Sequence, residues 1–313
     1  MAIIMDGRSL AEEIKEKVKE DVERLKDFGI SVGLGLLLVG ENPSSLSYYN
    51  ATLKACKKVG IRAYQFRLPA ESSVNEILNV IHEINRDERI SGLLVLFPLP
   101  RKVNARRVVN EIVPEKDIDG LGAISVGRLA ADESTFQIFK EGTYELLHEC
   151  RFMPSVSSFL PCTPFGVIRL LEHHNIDIRG KHAIVIGKSL AVGKPLSLML
   201  LAKEATVTVC HRNTHDLGHF TRQADIICSA TGVRGLIKAD MVKEGAVVVD
   251  IGINVLEDGT IVGDVEFESV KEKASYITPV PGGVGPVTIA MLLENTVRSA
   301  QRTEFMKSPL MLE

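Results

Sequence analysis

The sequence predicts an α/β protein of two domains, each built on a parallel sheet with helices on both faces. The chain has 313 residues, a length that ordinary domain sizes divide in two. Short, continuous apolar runs alternate with stretches of helical periodicity along both halves. This alternation is interrupted between about residues 130 and 160, which we interpret as a linker that carries an insertion.

In the first half, helices and strands are predicted in alternation. Ser9 and Glu12 match a capping box, and apolar residues at helical spacing follow them, so a helix is expected to begin there. Continuous apolar runs such as GLGLLLV predict buried strands. The expected elements are helices at about 9–27, 44–58 and 74–85, and strands at 33–39, 61–68 and 92–97.

The second half repeats this pattern with shorter strands. Several of the strands are rich in Val and Ile, as in HAIVIG and AVVVDI, which is typical of strands buried on both faces. The expected elements are helices at about 165–175 and 286–299, and strands at 182–187, 205–210, 224–229, 246–251 and 275–279. We therefore expect a second parallel sheet in this half.

Composition disfavours several classes of protein. The chain is 45% hydrophobic and 25% charged, and its net charge of −3 comes without a basic run, which argues against general binding of nucleic acid or membrane surfaces. Without a signal-peptide pattern or an apolar stretch of membrane-spanning length, we expect a cytoplasmic protein. The five cysteines and eight histidines show no metal-type spacing, so we predict reduced thiols and no metal site.

A glycine-containing loop follows the first strand of the second half. It includes Gly187, Lys188, Ser189, Val192 and Gly193, and a helix begins directly after it. A glycine at the strand end permits a tight turn, and the helix N-terminus presents free N–H groups to a phosphate. Because Ser189 occupies the second glycine position of the dinucleotide fingerprint, a plain strand-to-helix turn is the alternative interpretation.

The next strand indicates which dinucleotide would bind. It ends at Cys210 without the acidic residue that usually holds the ribose hydroxyls of NAD. Arg212 follows instead, and Lys188 adds a second cation from the loop. Both suit the 2′-phosphate of NADP, which is the cofactor we predict. The alternative is that Arg212 is a solvated loop residue.

Five motifs then occur in the order found in one protein family. They are VGENPSS (39–45), PEKDIDG (114–120), PCTPFG (161–166), VIGKSLAVGKP (185–195) and TPVPGGVGP (278–286). Together they resemble the bifunctional methylenetetrahydrofolate dehydrogenase/methenyltetrahydrofolate cyclohydrolase family. The resemblance extends over about residues 1–300, except for the stretch around 130–160, which is longer than in the family.

The resemblance implies an N-terminal α/β folate domain and a Rossmann-type NADP-binding domain with a parallel sheet. Residues 1–120, joined by the C-terminal helix 286–303, would form the first domain and residues 161–285 the second, with a linker at 121–160. The family, usually homodimeric, transfers a hydride from 5,10-methylenetetrahydrofolate to NADP. It then hydrolyses the methenyl product to 10-formyltetrahydrofolate, as part of one-carbon metabolism.

The resemblance also implies the site residues. Tyr48 matches the active-site tyrosine, whose ring can stack on the pterin. Asp119 matches the carboxylate that binds the amino-pyrimidine edge through parallel hydrogen bonds, whereas Asp117 better suits a turn or a helix cap. Ile253 matches a cofactor contact. The other substrate-contact positions are Val95, Leu96, Phe97, Pro281, Gly282, Gly283 and Val284.

Two departures from the family concern the hydrolysis. Thr52 replaces the catalytic lysine, four residues after the tyrosine and so on the same helix face, and Leu96 replaces its glutamine partner. A threonine hydroxyl has no pKa near 7 for proton transfer, whereas hydride transfer depends mainly on the alignment of two carbons. We predict a dehydrogenase with weak or no cyclohydrolase activity. The alternatives are a dehydrogenase of another small substrate and a non-catalytic protein that binds NADP or folate.

Overall fold

The structure is a computed structural model that describes residues 1–131 and 158–307, with side chains to residue 302. The predicted insertion at 130–160 therefore lies mostly outside the described residues. The described helices are α1 (Gly7–Asp27), α2 (Pro43–Val59), α3 (Val74–Arg86), α4 (Ala105–Asn110), α5 (Ala123–Ala131), α6 (Cys162–His173), α7 (Gly193–Ala202), α8 (Leu217–Thr221), α9 (Phe267–Val270) and α10 (Val284–Lys307). The strands are β1 (Ile3–Ile4), β2 (Gly33–Val39), β3 (Arg62–Leu68), β4 (Gly92–Val95), β5 (His182–Ile186), β6 (Thr206–Cys210), β7 (Ile226–Ser229), β8 (Val247–Asp250), β9 (Asn254–Val255), β10 (Ile261–Val262) and β11 (Tyr276–Ile277).

The first half contains a parallel sheet with the strand order β3-β2-β4. Every residue of the central strand β2 is buried. Its side chains alternate between two apolar cores, because successive residues of a strand point to opposite faces. Leu36 and Leu38 join one core, while Leu37 and Val39 join the other, which α3 covers with Ile77 and Ile81. Burial on both faces explains why β2 is a continuous apolar run.

The second half contains a six-stranded parallel sheet with the order β1-β11-β8-β7-β5-β6. The chain leaves β5 through α7 to form β6 on one side, and then crosses to β7 on the other side. The strand order therefore reverses at β5, and such a switch point is where α/β sheets bind ligands. The two-domain α/β class with parallel sheets, predicted from the sequence, is confirmed.

Both ends of the described chain cross between the two halves. Strand β1 pairs with β11 in the second sheet, although the helix that follows it, α1, packs in the first half. Helix α10 packs against both α1 and α6. On α10, the Asn295 amide donates to the carbonyls of Ile118 at 2.8 Å and Leu160 at 3.3 Å. The domain limits given above stay a prediction.

The predicted start of the first helix is wrong. Helix α1 begins at Gly7, and Asp6 caps it by accepting a hydrogen bond from the Arg8 N–H at 2.9 Å. Glu12 forms ion pairs instead of a cap. Strand β4 is shorter than expected, and α10 begins two residues earlier. The two-residue strand β1 and the short helices α4, α5 and α8 were not predicted.

Within residues 1–131 and 158–307, no helix is both long enough and apolar enough to cross a membrane. In the same parts of the chain, no group of three His, Cys, Asp or Glu side chains could hold a metal ion. The cysteines described there, Cys56, Cys162, Cys210 and Cys228, are free and buried.

Candidate active site

The start of helix α2 is fastened to the end of the first sheet. The Asn42 side chain caps the helix by accepting hydrogen bonds from the N–H groups of Ser44 at 3.0 Å and Ser45 at 3.3 Å. The Ser45 hydroxyl donates to the Phe97 carbonyl at 2.8 Å, just after β4. Tyr48 lies three residues further along the same helix and therefore on the same side as Ser45. The segment Val95–Phe97 and Tyr48 are thus positioned together.

Tyr48, Asp119 and Cys162 form one group, in which Cys162 is buried and Tyr48 and Asp119 are half-buried. The backbone N–H and the thiol of Cys162 both interact with the Asp119 carboxyl. Burial, and secondarily the neighbouring Asp117, raises the pKa of Asp119 to about 7. Burial also raises the pKa of the Tyr48 phenol well above its usual value, with Asp119 adding to the effect. At neutral pH, Tyr48 is therefore a neutral ring with a hydroxyl group, whereas Asp119 has a pKa raised into the neutral range.

Cys162 itself packs in the protein interior and lacks the properties of a reactive thiol. Burial raises the pKa of this thiol well above its usual range, with Asp119 contributing in the same direction. The thiol lies 3.3 Å from the Ile118 carbonyl. Because a thiolate is the nucleophilic form, this environment agrees with the expectation that Cys162 packs and does not react.

Asp117 has a structural position, unlike Asp119. Its carboxylate accepts hydrogen bonds from the N–H groups of Leu121 at 3.1 Å and Gly122 at 2.9 Å, and from the Ser125 hydroxyl at 2.6 Å. Burial raises the pKa of Asp117 to about 6, and these hydrogen bonds oppose the rise. Asp117 therefore closes the turn that leads into α5, whereas Asp119 lies half-buried beside Tyr48 and Cys162.

Neither Thr52 nor Leu96 offers a side chain that could transfer a proton. Thr52 is fully buried, and its hydroxyl donates to the Tyr48 carbonyl at 2.8 Å within α2. Leu96 is also buried, and its N–H donates to the Leu37 carbonyl at 2.9 Å. Lys54, two residues after Thr52, is exposed. The structure therefore offers no cation or side-chain amide at the positions where the family carries its lysine and glutamine.

The loop before α10 is held by the first residues of α1. The Gly7 N–H donates to the Gly282 carbonyl at 2.9 Å, and the Arg8 guanidinium donates to the Pro281 carbonyl at 3.3 Å. Gly282 has a φ of +117°, which favours glycine, and the Arg8 guanidinium lies directly over it. These contacts and the backbone conformation of Gly282 define the shape of the loop.

Gly283 and Val284 complete this loop. A Cβ on Gly283 would lie 2.7 Å from the Pro279 carbonyl oxygen, so only glycine fits without movement. Val284 is buried at the start of α10, and its carbonyl accepts a hydrogen bond from the Thr288 hydroxyl at 3.2 Å. The close approach of Gly283 is to the Pro279 carbonyl of the same loop, and an approach of this loop to a ligand stays a prediction.

The loop after β5 is a tight cradle at the switch point of the second sheet. Gly187 has a φ of +116°, and a Cβ there would collide with the Ala230 carbonyl. A Cβ on Gly193 would collide with the Gly187 carbonyl in the same way. The Ser189 hydroxyl accepts hydrogen bonds from the N–H groups of Val192 at 3.1 Å and Gly193 at 3.3 Å. Ser189, which occupies the second glycine position of the dinucleotide fingerprint, therefore stabilises the turn through its hydroxyl group.

Two exposed cations border this cradle. Lys188 lies in the loop and Arg212 follows β6, and neither forms an ion pair with a carboxylate in the described part of the chain. Ile253, just after β8, exposes 54% of its surface. Unpaired cations, a glycine cradle and an exposed apolar side chain at the same sheet edge fit a dinucleotide that carries a 2′-phosphate.

The structure thus gathers the predicted residues into two groups, one beside each sheet. Sequence reasoning missed Ser45, Arg8 and Asn295, which hold these groups from other elements, and also a pair of buried aspartates, Asp250 and Asp264. Only Asp250 carried a visible signal, because it directly precedes the segment of Ile253 in DIGIN. The other contacts join residues distant in sequence, which periodicity does not reveal.

The fold and the cradle define a two-domain protein of the dinucleotide-binding α/β class. Comparison with known families is more specific. The model of the tetrahydrofolate dehydrogenase/cyclohydrolase catalytic domain matches residues 5–119. The model of the NAD(P)-binding domain of the same family matches residues 161–304. The chain belongs to the tetrahydrofolate dehydrogenase/cyclohydrolase family.

Individual relatives agree with this assignment. The bifunctional protein FolD of Moorella thermoacetica is 47% identical over 301 residues, covering 96% of this chain and 99% of the relative. The crystal structure of the FolD methylenetetrahydrofolate dehydrogenase/cyclohydrolase of Campylobacter jejuni is 46% identical, with a TM-score of 0.86 over 97% of this chain and 100% of the other. The Trypanosoma brucei enzyme, solved with NADP and an inhibitor, is 32% identical, with a TM-score of 0.86 over 97% and 98% of the two chains.

These comparisons bear on the sequence predictions. The predicted family is confirmed, and with it the expectation of a folate dehydrogenase at the level of the family. The expectation of NADP agrees with the NAD(P)-binding domain and with the NADP complex of the trypanosomal relative. The roles of individual site residues stay predictions.

Proposed function

We propose that the chain is an NADP-dependent 5,10-methylenetetrahydrofolate dehydrogenase with weak or no methenyltetrahydrofolate cyclohydrolase activity. The loss of cyclohydrolase activity is inferred from one observation. The hydroxyl of the buried Thr52 donates a hydrogen bond to the Tyr48 carbonyl, and Leu96 is an apolar core residue. The first part of the proposal follows from the family and from the intact folate-side and cofactor-side loops.

The binding of the two ligands follows from the site. The ionised Asp119 carboxylate accepts hydrogen bonds from the amino-pyrimidine edge of the folate, and the Tyr48 ring stacks on the pterin. Gly187 and Gly193 allow the cofactor pyrophosphate to approach the backbone, and Arg212 pairs with the 2′-phosphate. When bound, NADP supplies the hydride acceptor. The protein contributes alignment of the two ligands, which is the main requirement of hydride transfer.

Hydrolysis of the methenyl product has a different requirement. Water must be activated and a proton must be moved while the ring opens, which calls for a group whose pKa is near 7 at the reacting carbon. Thr52 has no such pKa and Leu96 has no polar atom. Asp119 has a suitable pKa, but it is engaged with the opposite edge of the folate in this proposal. The methenyl product is therefore released without catalysed hydrolysis.

The test follows NADPH and the methenyl product separately after the protein is mixed with methylenetetrahydrofolate and NADP. We expect NADPH to form and the methenyl product to accumulate to the level set by spontaneous hydrolysis. The double variant Thr52→Lys with Leu96→Gln should raise hydrolysis at least about tenfold above that background. Thr52→Ser with Leu96→Met is the matched control and should not raise hydrolysis.

Other outcomes would favour other functions. Formation of NADPH without methenyl accumulation, after correction for spontaneous hydrolysis, would show that hydrolysis survives by another route. Absence of NADPH formation would favour a dehydrogenase of another small substrate or, if both ligands raise the melting temperature, a non-catalytic binding protein. Failure of the double variant to gain hydrolysis would show that Thr52 and Leu96 are not the cause of the loss.

We also propose that the protein is a cytoplasmic homodimer. The proposal is supported by the family assignment, since the family is usually dimeric. Light scattering coupled to gel filtration should give a mass near twice that of the 34.3 kDa chain. A monomeric mass in the presence of both ligands would contradict it.

A further inference from the structure

Asp264 is a completely buried carboxylate that accepts hydrogen bonds from two segments, residues 229–233 and Asn254. One carboxylate oxygen accepts from the Ser229 hydroxyl at 2.9 Å, the Thr231 N–H at 2.7 Å and the Thr231 hydroxyl at 2.8 Å. The other oxygen accepts from the Val233 N–H at 3.0 Å and the Asn254 side-chain amide at 3.2 Å. These donors satisfy the carboxylate, which offers about four lone-pair sites and would be costly to bury alone.

Asp250 holds the segment that carries Asp264. It ends β8, and its carboxylate accepts hydrogen bonds from the N–H groups of Gly252 at 2.9 Å, Asp264 at 3.0 Å and Val265 at 2.9 Å. A Cβ on Gly252 would collide with the Asp264 carboxylate, and one on Gly263 would collide with that of Asp250. Asp264 therefore fills the space that a side chain at position 252 would need, and Asp250 fills the space that a side chain at position 263 would need.

This hydrogen-bond network lies at the sheet edge where the cofactor is proposed to bind. Thr231 and Val233 belong to the loop after β7, and Asn254 belongs to the segment after β8. Because the strands are parallel, both loops emerge at the same sheet edge as the cradle after β5. The loop after β7 also touches the cradle directly, since the Ala230 carbonyl faces Gly187. The segment after β8 contains the exposed Ile253.

We propose that Asp264 is a positioning residue for the dinucleotide: it fixes the loops after β7 and β8 in their binding shape before the cofactor arrives. This inference rests on the proposed NADP-dependent function. Loops that are already ordered lose less conformational entropy on binding, so affinity depends on the carboxylate even though it is buried away from the ligand. Asp264 acts through Thr231 and the backbone near Ile253, and is not itself a catalytic residue.

The inference predicts an effect on cofactor affinity that stability does not explain. Asp264→Asn keeps the shape of the side chain but replaces an acceptor oxygen with a donor, so at least one buried N–H group loses its partner. We expect the Kd for NADPH, measured by fluorescence titration without turnover, to rise at least about tenfold. The KM for methylenetetrahydrofolate, measured at saturating NADP, should change less than about twofold.

A second pair of variants separates positioning from stability. Thr231→Val removes the hydroxyl without changing side-chain size and should weaken NADPH binding. Thr231→Ser keeps the hydroxyl and should bind NADPH about as tightly as the wild type. Val270→Ala is the stability control, since it leaves a cavity in the core of the same domain but lies outside both loops. It should lower the melting temperature without changing the Kd.

Three results would overturn the inference. One is an unchanged Kd in Asp264→Asn and Thr231→Val despite lower melting temperatures. Another is a Kd that rises equally in Val270→Ala, because this would trace the effect to stability alone. If the wild-type chain itself fails to bind NADPH in the same titration, the proposed function is wrong and the inference falls with it. If Asp264→Asn does not fold, the Thr231 pair decides.

Discussion

The folate-side site and the cofactor cradle both lie at the ends of parallel strands, but they are held in different ways. The cradle depends on backbone geometry, and the neighbouring segments after β7 and β8 are held by buried hydrogen bonds centred on Asp250 and Asp264. The folate side depends on a few side chains, and two of its positions, Thr52 and Leu96, carry no proton-transfer group.

The difference matters because hydride transfer and hydrolysis place different demands on a site. Hydride transfer needs two ligands held at a fixed distance, and every loop that holds them is intact. Hydrolysis needs specific titratable groups, and in the proposed function Thr52 and Leu96 stand in their place within an intact fold. Loss of one activity while the other is kept is therefore compatible with a sound structure.

The largest effect is expected from a substitution on the folate side, which should impair use of the folate without affecting NADPH binding. Asp119→Asn should lower kcat/KM for methylenetetrahydrofolate by about a hundredfold or more, because a charge-assisted pair of hydrogen bonds is lost. Steady-state kinetics with each substrate varied in turn would measure this. The Kd for NADPH should stay unchanged and serves as the internal control. An equal loss of NADPH binding would contradict the separation of the two sites.

The pH dependence of folate binding sharpens the same comparison. The ionised form of Asp119 binds the substrate, and its pKa in the free protein is raised to about 7. If the ionised form binds the folate, the KM for the folate should rise as pH falls from 8 to 6 and should level off above about pH 8. In Asp119→Asn this dependence should vanish. Since the pKa of Asp119 in the folded protein exceeds its ordinary value of 3.8, ionisation of Asp119 lowers the free energy of unfolding, which falls as pH rises from about 4 to about 7.

A smaller effect is expected on the cofactor side. Arg212→Ala should raise the KM for NADP about tenfold or more and leave that for NAD unchanged, because only NADP carries the 2′-phosphate. Arg179→Ala is a matched control: it is also exposed, but it precedes β5 at the opposite edge of the sheet and pairs with Glu204. Equal KM values for NADP in wild type and Arg212→Ala would leave Arg212 as a solvated loop residue.

The smallest effect concerns the link between α2 and the first sheet. Ser45→Ala removes the hydrogen bond to the Phe97 carbonyl and should lower the free energy of unfolding by about 1 kcal/mol. Urea denaturation would measure this change. Ser47→Ala, on the same helix but exposed, should change stability little. If apolar packing alone held α2 on the sheet, Ser45→Ala would be as stable as the wild type.

The sequence was sufficient for much of the fold, and the reason is physical. Strands buried on both faces, such as β2 and β8, are continuous apolar runs, and glycine loops leave a sequence pattern wherever a Cβ cannot fit. Strand β1 could not be predicted, since two residues show no periodicity. The Asp264 network was missed for another reason: its donors come from Ser229, Thr231, Val233 and Asn254, and only folding brings them together.

The crossing of both chain ends between the halves limits how the protein can be recombined. The sheet of the cofactor domain includes β1, and its helix α6 packs against α10, whose Asn295 amide also bonds to Ile118. A chimera that exchanged only residues 161–283 with a homologue would join a foreign sheet to a native edge strand and a native closing helix. Exchange of cofactor specificity between relatives therefore requires three matched segments, or else point substitutions within the cradle.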